Sequence, residues 1–158
     1  MGAMDDAAAR TDALAFLKRH KTGVIATAGH DNVPHASAIH YYTDDDFNMY
    51  FLTLPSSRKY QALSAHPQVA FTTIRDDAPQ TIQIEGMAKD ISNDADMQEK
   101  KAKILEVLNE NRHFSAPITK LDPETPALIW IRPTWIRWAD YAFAAQGSEH
   151  VFKEIPVN

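Results

Sequence analysis

A succession of short β-prone runs, each closed by turn chemistry within a few residues, limits what this chain can become more than any other feature. Gly23-Val-Ile-Ala-Thr27 leads into the turn Gly29-His-Asp-Asn32, and Pro34 opens an extended segment from His35 to Tyr42. Thr43-Asp-Asp-Asp46 is a second turn. Phe47, Met49 and Phe51 then alternate with Asn48, Tyr50 and Leu52 in a third strand ending near Thr53. Val69 to Ile74 is a fourth strand and Asp76-Asp-Ala-Pro79 a turn. Thr81 to Ile91 is a fifth strand, with Gly86 expected at a bulge or close approach. Ala127–Ile131 and Trp135–Trp138 read as extended on either side of Pro133, with a last short strand from Val151 to Ile155. Helical periodicity is confined to three places: Ala7–Arg19, a short helix capped by Ser56 or Ser57, and Asp94 to about Arg112, where Met97, Ile104, Leu105 and Leu108 share a face. Strands so rarely separated by helices do not build βαβ units. The pattern predicts an α+β fold, an antiparallel barrel of about six strands with peripheral helices.

A chain of 158 residues is long enough to bury one core without staples, and no linker or repeat divides it, so one domain spanning 1–158 is expected. Met1-Gly2-Ala3-Met4 reads as a cloning scar outside that fold. The absence of cysteine removes disulfides, thiolate metal sites and a cysteine nucleophile, and suits a reducing compartment. No apolar run approaches a membrane span and the start lacks a signal peptide's apolar stretch, so the cytoplasm is expected and a membrane is not. With 16 basic and 21 acidic residues interspersed, the net charge of −5 offers no broad basic footprint for nucleic acid.

The chemistry concentrates in Tyr50-Phe51-Leu52-Thr53 followed by Pro55-Ser56-Ser57-Arg58-Lys59. Hydroxyls, free backbone N–H groups and two cations meet where a strand enters a helix, an arrangement suited to a phosphate. On spacing alone, a solvated basic loop with an ordinary serine cap competes with that reading. His30 beside Asp31 reads as loop chemistry, and the seven histidines show no metal-ligand spacing, so no metal site is expected. Asp44, Asp45 and Asp46 read as a solvated turn. Trp130, Trp135 and Trp138 read as core or interface aromatics.

The order of Gly-x-Ile-Ala-Thr, Pro-His-Ala-Ser, Tyr-Phe-x-Thr, Ser-Arg-Lys, His66-Pro67-Gln-Val-Ala and Ile84-Glu85-Gly86-x-Ala88 resembles pyridoxamine phosphate oxidase and its FMN-binding split-barrel relatives across about residues 14–91. Ile-Arg-Pro-Thr-Trp-Ile-Arg-Trp-Ala-Asp140 is similar to their closing strand. The resemblance implies a six-stranded split barrel, and a homodimer holding FMN at the subunit interface. It places Thr53, Ser57, Arg58 and Lys59 on the phosphate, and His35, Ala36, Ser37, Ala38, Ile39 and His40 along the flavin ring and ribityl chain. Trp138 is carried as a flavin contact from across the dimer. Where the oxidase has a Gln before its Ile-Glu-Gly motif this chain has Thr81, with Gln83 two residues later on the same face, and both are carried as contacts. The oxidase's C-terminal Arg-x-His and Arg-Leu-x-Pro elements are absent, so pyridoxamine phosphate is not the expected substrate. The expected activity is oxidoreduction through bound flavin, with a nicotinamide as a possible electron donor. The alternatives are a flavin-binding module without turnover, or a split-barrel protein that binds a deazaflavin or haem.

Overall fold

The computed structural model describes residues 5–110 and 125–158. The chain opens with helix α1 (Asp6–Arg19), then strands β1 (Thr22–Ala28), β2 (Pro34–Thr43) and β3 (Met49–Thr53), and a short helix α2 (Arg58–Ala65). Strands β4 (Gln68–Arg75) and β5 (Gln80–Asp90) follow. A 3-10 turn at Ala95–Met97 leads into helix α3 (Gln98–Glu110). Strand β6 (Ala127–Asp140), a 3-10 stretch (Tyr141–Gln146), the single turn α4 (Ser148–Val151) and strand β7 (Phe152–Glu154) complete it. The expected helix end at Arg112, the connection after it and Met1–Met4 lie outside the described residues.

All pairings are antiparallel in the order β3-β2-β1-β4-β5-β6, and β3 also pairs with β6, from Met49 opposite Ile131 to Thr53 opposite Ala127. That last pairing closes a six-stranded barrel, which leaves its strands no free edge. Strand β7 is an extra, paired to β6 from Arg137 opposite Glu154. Alternation fills the interior: Ile25, Ile39, Tyr41, Phe71, Ile82, Ile84, Ile129 and Ile136 are buried there together with Phe16 and Leu17 of α1. A second apolar cluster, Tyr50, Ile91, Ile104, Leu108 and Leu128, seats α3 on the outer side of β3 and β6. Residues 49–51 of β3 are therefore buried on both faces.

Three expectations are corrected. Strand β6 runs unbroken through Pro133: the register with β5 slips between Glu85 and Gly86, so that Thr134 is extra and the proline sits in a bulge, where its missing N–H disrupts nothing. Gly86 is required there, because a Cβ would lie 2.6 Å from the carbonyl oxygen of Arg132. Strand β3 begins at Met49 and not Phe47. Phe47 has φ 63° in a tight turn closed by its own N–H to the carbonyl of Asp44, and its ring is still buried in the core. Val151 belongs to α4, and only residues 152–154 of the last extended run pair as a strand.

Candidate functional site

At the end of β3, Leu54-Pro55-Ser56-Ser57 forms a turn in which Ser57 N–H bonds the carbonyl of Leu54 at 2.9 Å, with proline at the position whose φ it presets. The turn delivers Ser57 as N-cap of α2, its Oγ accepting from Tyr60 N–H at 3.1 Å. Of the two candidate caps, Ser57 is the one used. The buried Thr53 hydroxyl lies 2.9 Å from the same Oγ, so the expected pair of hydroxyls is brought together.

Arg58 and Lys59 occupy the first turn of α2, where the helix dipole disfavours cations and an anion would relieve them. Arg58 Nη2 lies 3.2 Å from His35 Nε2 and 3.4 Å from Nδ1, resting against the ring without commitment to one nitrogen. Lys59 is partly buried, and burial lowers its pKa from the ordinary lysine value. Among the described residues no carboxylate pairs with either cation. A partly desolvated lysine without a carboxylate partner among the described residues, in the first turn of a helix whose cap hydroxyl meets that of Thr53, fits a phosphate monoester.

Strand β2 divides its expected contacts between two faces. Ile39 is buried in the barrel, and His35 and Ser37 share its parity; Ala36, Ala38 and His40 point outward. Burial holds the pKa of His40 below its ordinary value. The register carries the outward residues into two rows across five strands: Ala36–Ala26–Ala70–Glu85–Trp135 and Ala38–Val24–Thr72–Gln83–Arg137. Thr81 stands opposite Ala139 on this face. Thr81 and Gln83 line a shallow cavity with Arg137, Tyr141 and Phe152, and the Arg137 guanidinium lies 3.9 Å over the Phe152 ring. Arg137 is absent from the sequence expectation, although alternation about buried Ile136 and Trp138 marks it as outward. Trp138 is placed apart from all of these. It is fully buried, its ring 5.0 Å from Phe16, so its place is in the core. Asp44 likewise departs from a merely solvated turn, for its carboxylate accepts from the backbone of Asp46 and Asn48, from Tyr50 Oη and from Lys100.

A closed six-stranded antiparallel barrel with an extra strand and peripheral helices is the architecture of split-barrel proteins. The family model described as pyridoxamine 5'-phosphate oxidase matches residues 10–138, and the chain belongs to that family. No curated protein matches it in sequence. Among solved structures it is similar to an FAD-binding protein from Mesorhizobium loti, at 13% identity and TM-score 0.64 over 80% of this chain and 88% of that one. It is also similar to HutZ, the haem storage protein from Vibrio cholerae, at 19% identity and TM-score 0.61 over 78% and 88%. A third is an F420 reductase, at 25% identity and TM-score 0.60 over 77% and 93%. No helix among the described residues is long and apolar enough to cross a membrane.

Proposed function

We propose that this protein binds a flavin nucleotide by its phosphate, FMN being the smallest form that satisfies the cradle, and acts as a cytoplasmic oxidoreductase through it. The observation that carries the reading is Lys59, partly buried with no carboxylate partner among the described residues, in the first turn of the helix that Ser57 caps, with Arg58 beside it in sequence and the Thr53 hydroxyl on the cap. The flavin, when bound, supplies hydride or electron transfer. The chain's own residues neutralise the phosphate, order it with N–H groups of α2, and lay the ring along the outward side of β2. Proteins similar in structure that bind FAD or haem support a cofactor site on this fold.

The site is completed by a second copy of the chain. From β2 to β5 across β1 and β4 there are three inter-strand spacings, about 14 Å, too far for one ring to lie against Ala38 and Gln83 of the same barrel. A homodimer formed through the outward face brings Thr81 and Gln83 of one copy to the flavin cradled by the other. It also covers Val24 and Ile74, which are 41% and 66% exposed.

Titration of FMN and riboflavin against the parent and Lys59→Ala tests the cradle. A charge-assisted bond contributes about 1.5–3 kcal/mol, so the variant should lose roughly ten- to a hundredfold in FMN affinity and almost nothing for riboflavin. Equal FMN affinity in both proteins would make the cradle an ordinary cap. The visible spectrum of the protein as purified separates flavin from haem and from a deazaflavin, and reduction of bound flavin by NADH or NADPH separates an enzyme from a module without turnover.

A further inference from the structure

We propose that the cavity between β5, β6 and the C-terminal segment holds the carboxylate of the substrate, with Arg137 as its anchor. The substrate role rests on the flavin reading: a dimer that carries Thr81 and Gln83 to the flavin carries this cavity with them. Six strands close the barrel without β7, which among the described strands pairs with β6 alone. What β7 contributes is a wall. It sets the Phe152 ring against the Arg137 guanidinium, 3.9 Å away, and Tyr141 braces that ring edge-on, with centroids 5.7 Å apart at 83°. Asp140 fixes the corner from which Tyr141 leaves, accepting from Ala142 N–H at 3.0 Å and from the Gln80 amide at 2.8 Å, while Tyr141 N–H donates to the carbonyl of Pro79 at 2.8 Å. Ala139, opposite Thr81 on one side and Phe152 on the other, leaves the floor between them open.

The chemistry of the lining selects an anion of one charge. Arg137 is half-buried and has no carboxylate partner among the described residues; Glu154 stands opposite it in register without forming an ion pair. Stacking on a ring shields one face of the guanidinium from water and leaves its N–H donors at the edge, a planar fork that matches a carboxylate in bidentate fashion. The remaining polar side chains of the cavity, Thr81, Gln83 and Tyr141, are neutral and able to donate. One cation and no carboxylate therefore line a space of about 240 Å³. A phosphate dianion would keep a charge unbalanced here, in contrast to the start of α2 with its two adjacent cations.

Benzoate, its neutral isostere benzamide and inorganic phosphate, titrated by calorimetry against the full chain free of flavin and then loaded with FMN, test the assignment. The parent is compared with Arg137→Gln and Phe152→Leu, whose positions lie outside the buried core, and circular dichroism and melting confirm the fold of each. Benzoate should bind the parent roughly ten- to a hundredfold more tightly than benzamide. Arg137→Gln should abolish that difference and Phe152→Leu reduce it. With FMN bound, benzoate should shift the visible absorption of the flavin in the parent and not in Arg137→Gln. Benzoate binding no more tightly than benzamide, a preference that survives Arg137→Gln, or phosphate binding more tightly than benzoate overturns the carboxylate site. Benzoate that binds and leaves the flavin spectrum unchanged overturns the substrate role. Failure of FMN to bind overturns the flavin reading and the substrate role with it, whereas the flavin-free titration decides the carboxylate site by itself.

Discussion

Lys59 carries opposite consequences for stability and for binding. Burial lowers its pKa, so the folded state holds the ammonium less willingly than the unfolded chain does. Below the folded pKa both states are protonated and the penalty is fully present. Between the folded and unfolded values the unfolded chain binds more protons, so stability rises with pH there. At neutral pH the charge therefore destabilises the ligand-free protein. Lys59→Met keeps the aliphatic stem and removes the charge. A relief of about 1 kcal/mol would raise the ligand-free melting temperature by about 2–4 °C, while FMN affinity falls as in Lys59→Ala. A melting temperature lower than the parent's would show that the ammonium has a stabilising partner. Ser57 was legible as a cap candidate because serine before a helix has few other uses, and the ambiguity with Ser56 was resolved by the turn closed on Leu54. Trp138 was not legible, because whether a tryptophan near a strand end faces core or ligand depends on what α1 places against it, and here that is Phe16.

At the level of elements, the β2–β3 turn does more than reverse the chain. Asp44 accepts from two backbone N–H groups, from the Asn48 amide and from Tyr50 Oη, and pairs with Lys100 of α3 at 3.1 Å. Asn48 Oδ1 in turn accepts from Trp130 Nε1 of β6. The turn so ties three elements at the seam where the barrel closes. Asp44→Ala leaves those donors without their acceptor and should cost about 2–3 kcal/mol in urea unfolding, with Asp44→Asn retaining part of it. Flavin affinity of the folded variant should be unchanged, because the turn lies at the opposite end of β3 from Thr53. An effect below 0.5 kcal/mol would mean that water replaces the carboxylate fully. Three consecutive aspartates look alike in sequence; the donors that the folded turn and α3 gather around Asp44 set it apart from its neighbours.

For the whole molecule, the outward rows, of Ala, Val and Thr on β2, β1 and β4 and of Glu85 and Gln83 on β5, define the surface on which a second copy is proposed to sit. Val24 lies in the middle, between Ala38 and Thr72. Light scattering should report a dimer for the parent. Val24→Glu places a carboxylate at the centre of that face and should give a monomer that has also lost flavin affinity. A monomer that still holds flavin would show the site to be complete in one copy.

The succession of strands, the helix caps, the bulge at Gly86 and the turn from β3 into α2 are all written locally, in alternation and turn chemistry that operate over a few residues, whereas a phosphate role for that turn rests on the family resemblance. The closure of β3 on β6 is not local: its partners are about eighty residues apart, and nothing short-range distinguishes a closed barrel from an open sheet. The same holds for the outward rows, since a residue's neighbours across five strands follow from register, and register here depends on a bulge that inserts Thr134. A groove beside α2, lined by Arg58, Gln61 and Ala62 on one side and His30, Asp31 and His35 on the other, exists only because the β1–β2 turn is brought over that helix. His30 and His35 come to line it together, and the His30 ring meets that of His66, through tertiary contact alone.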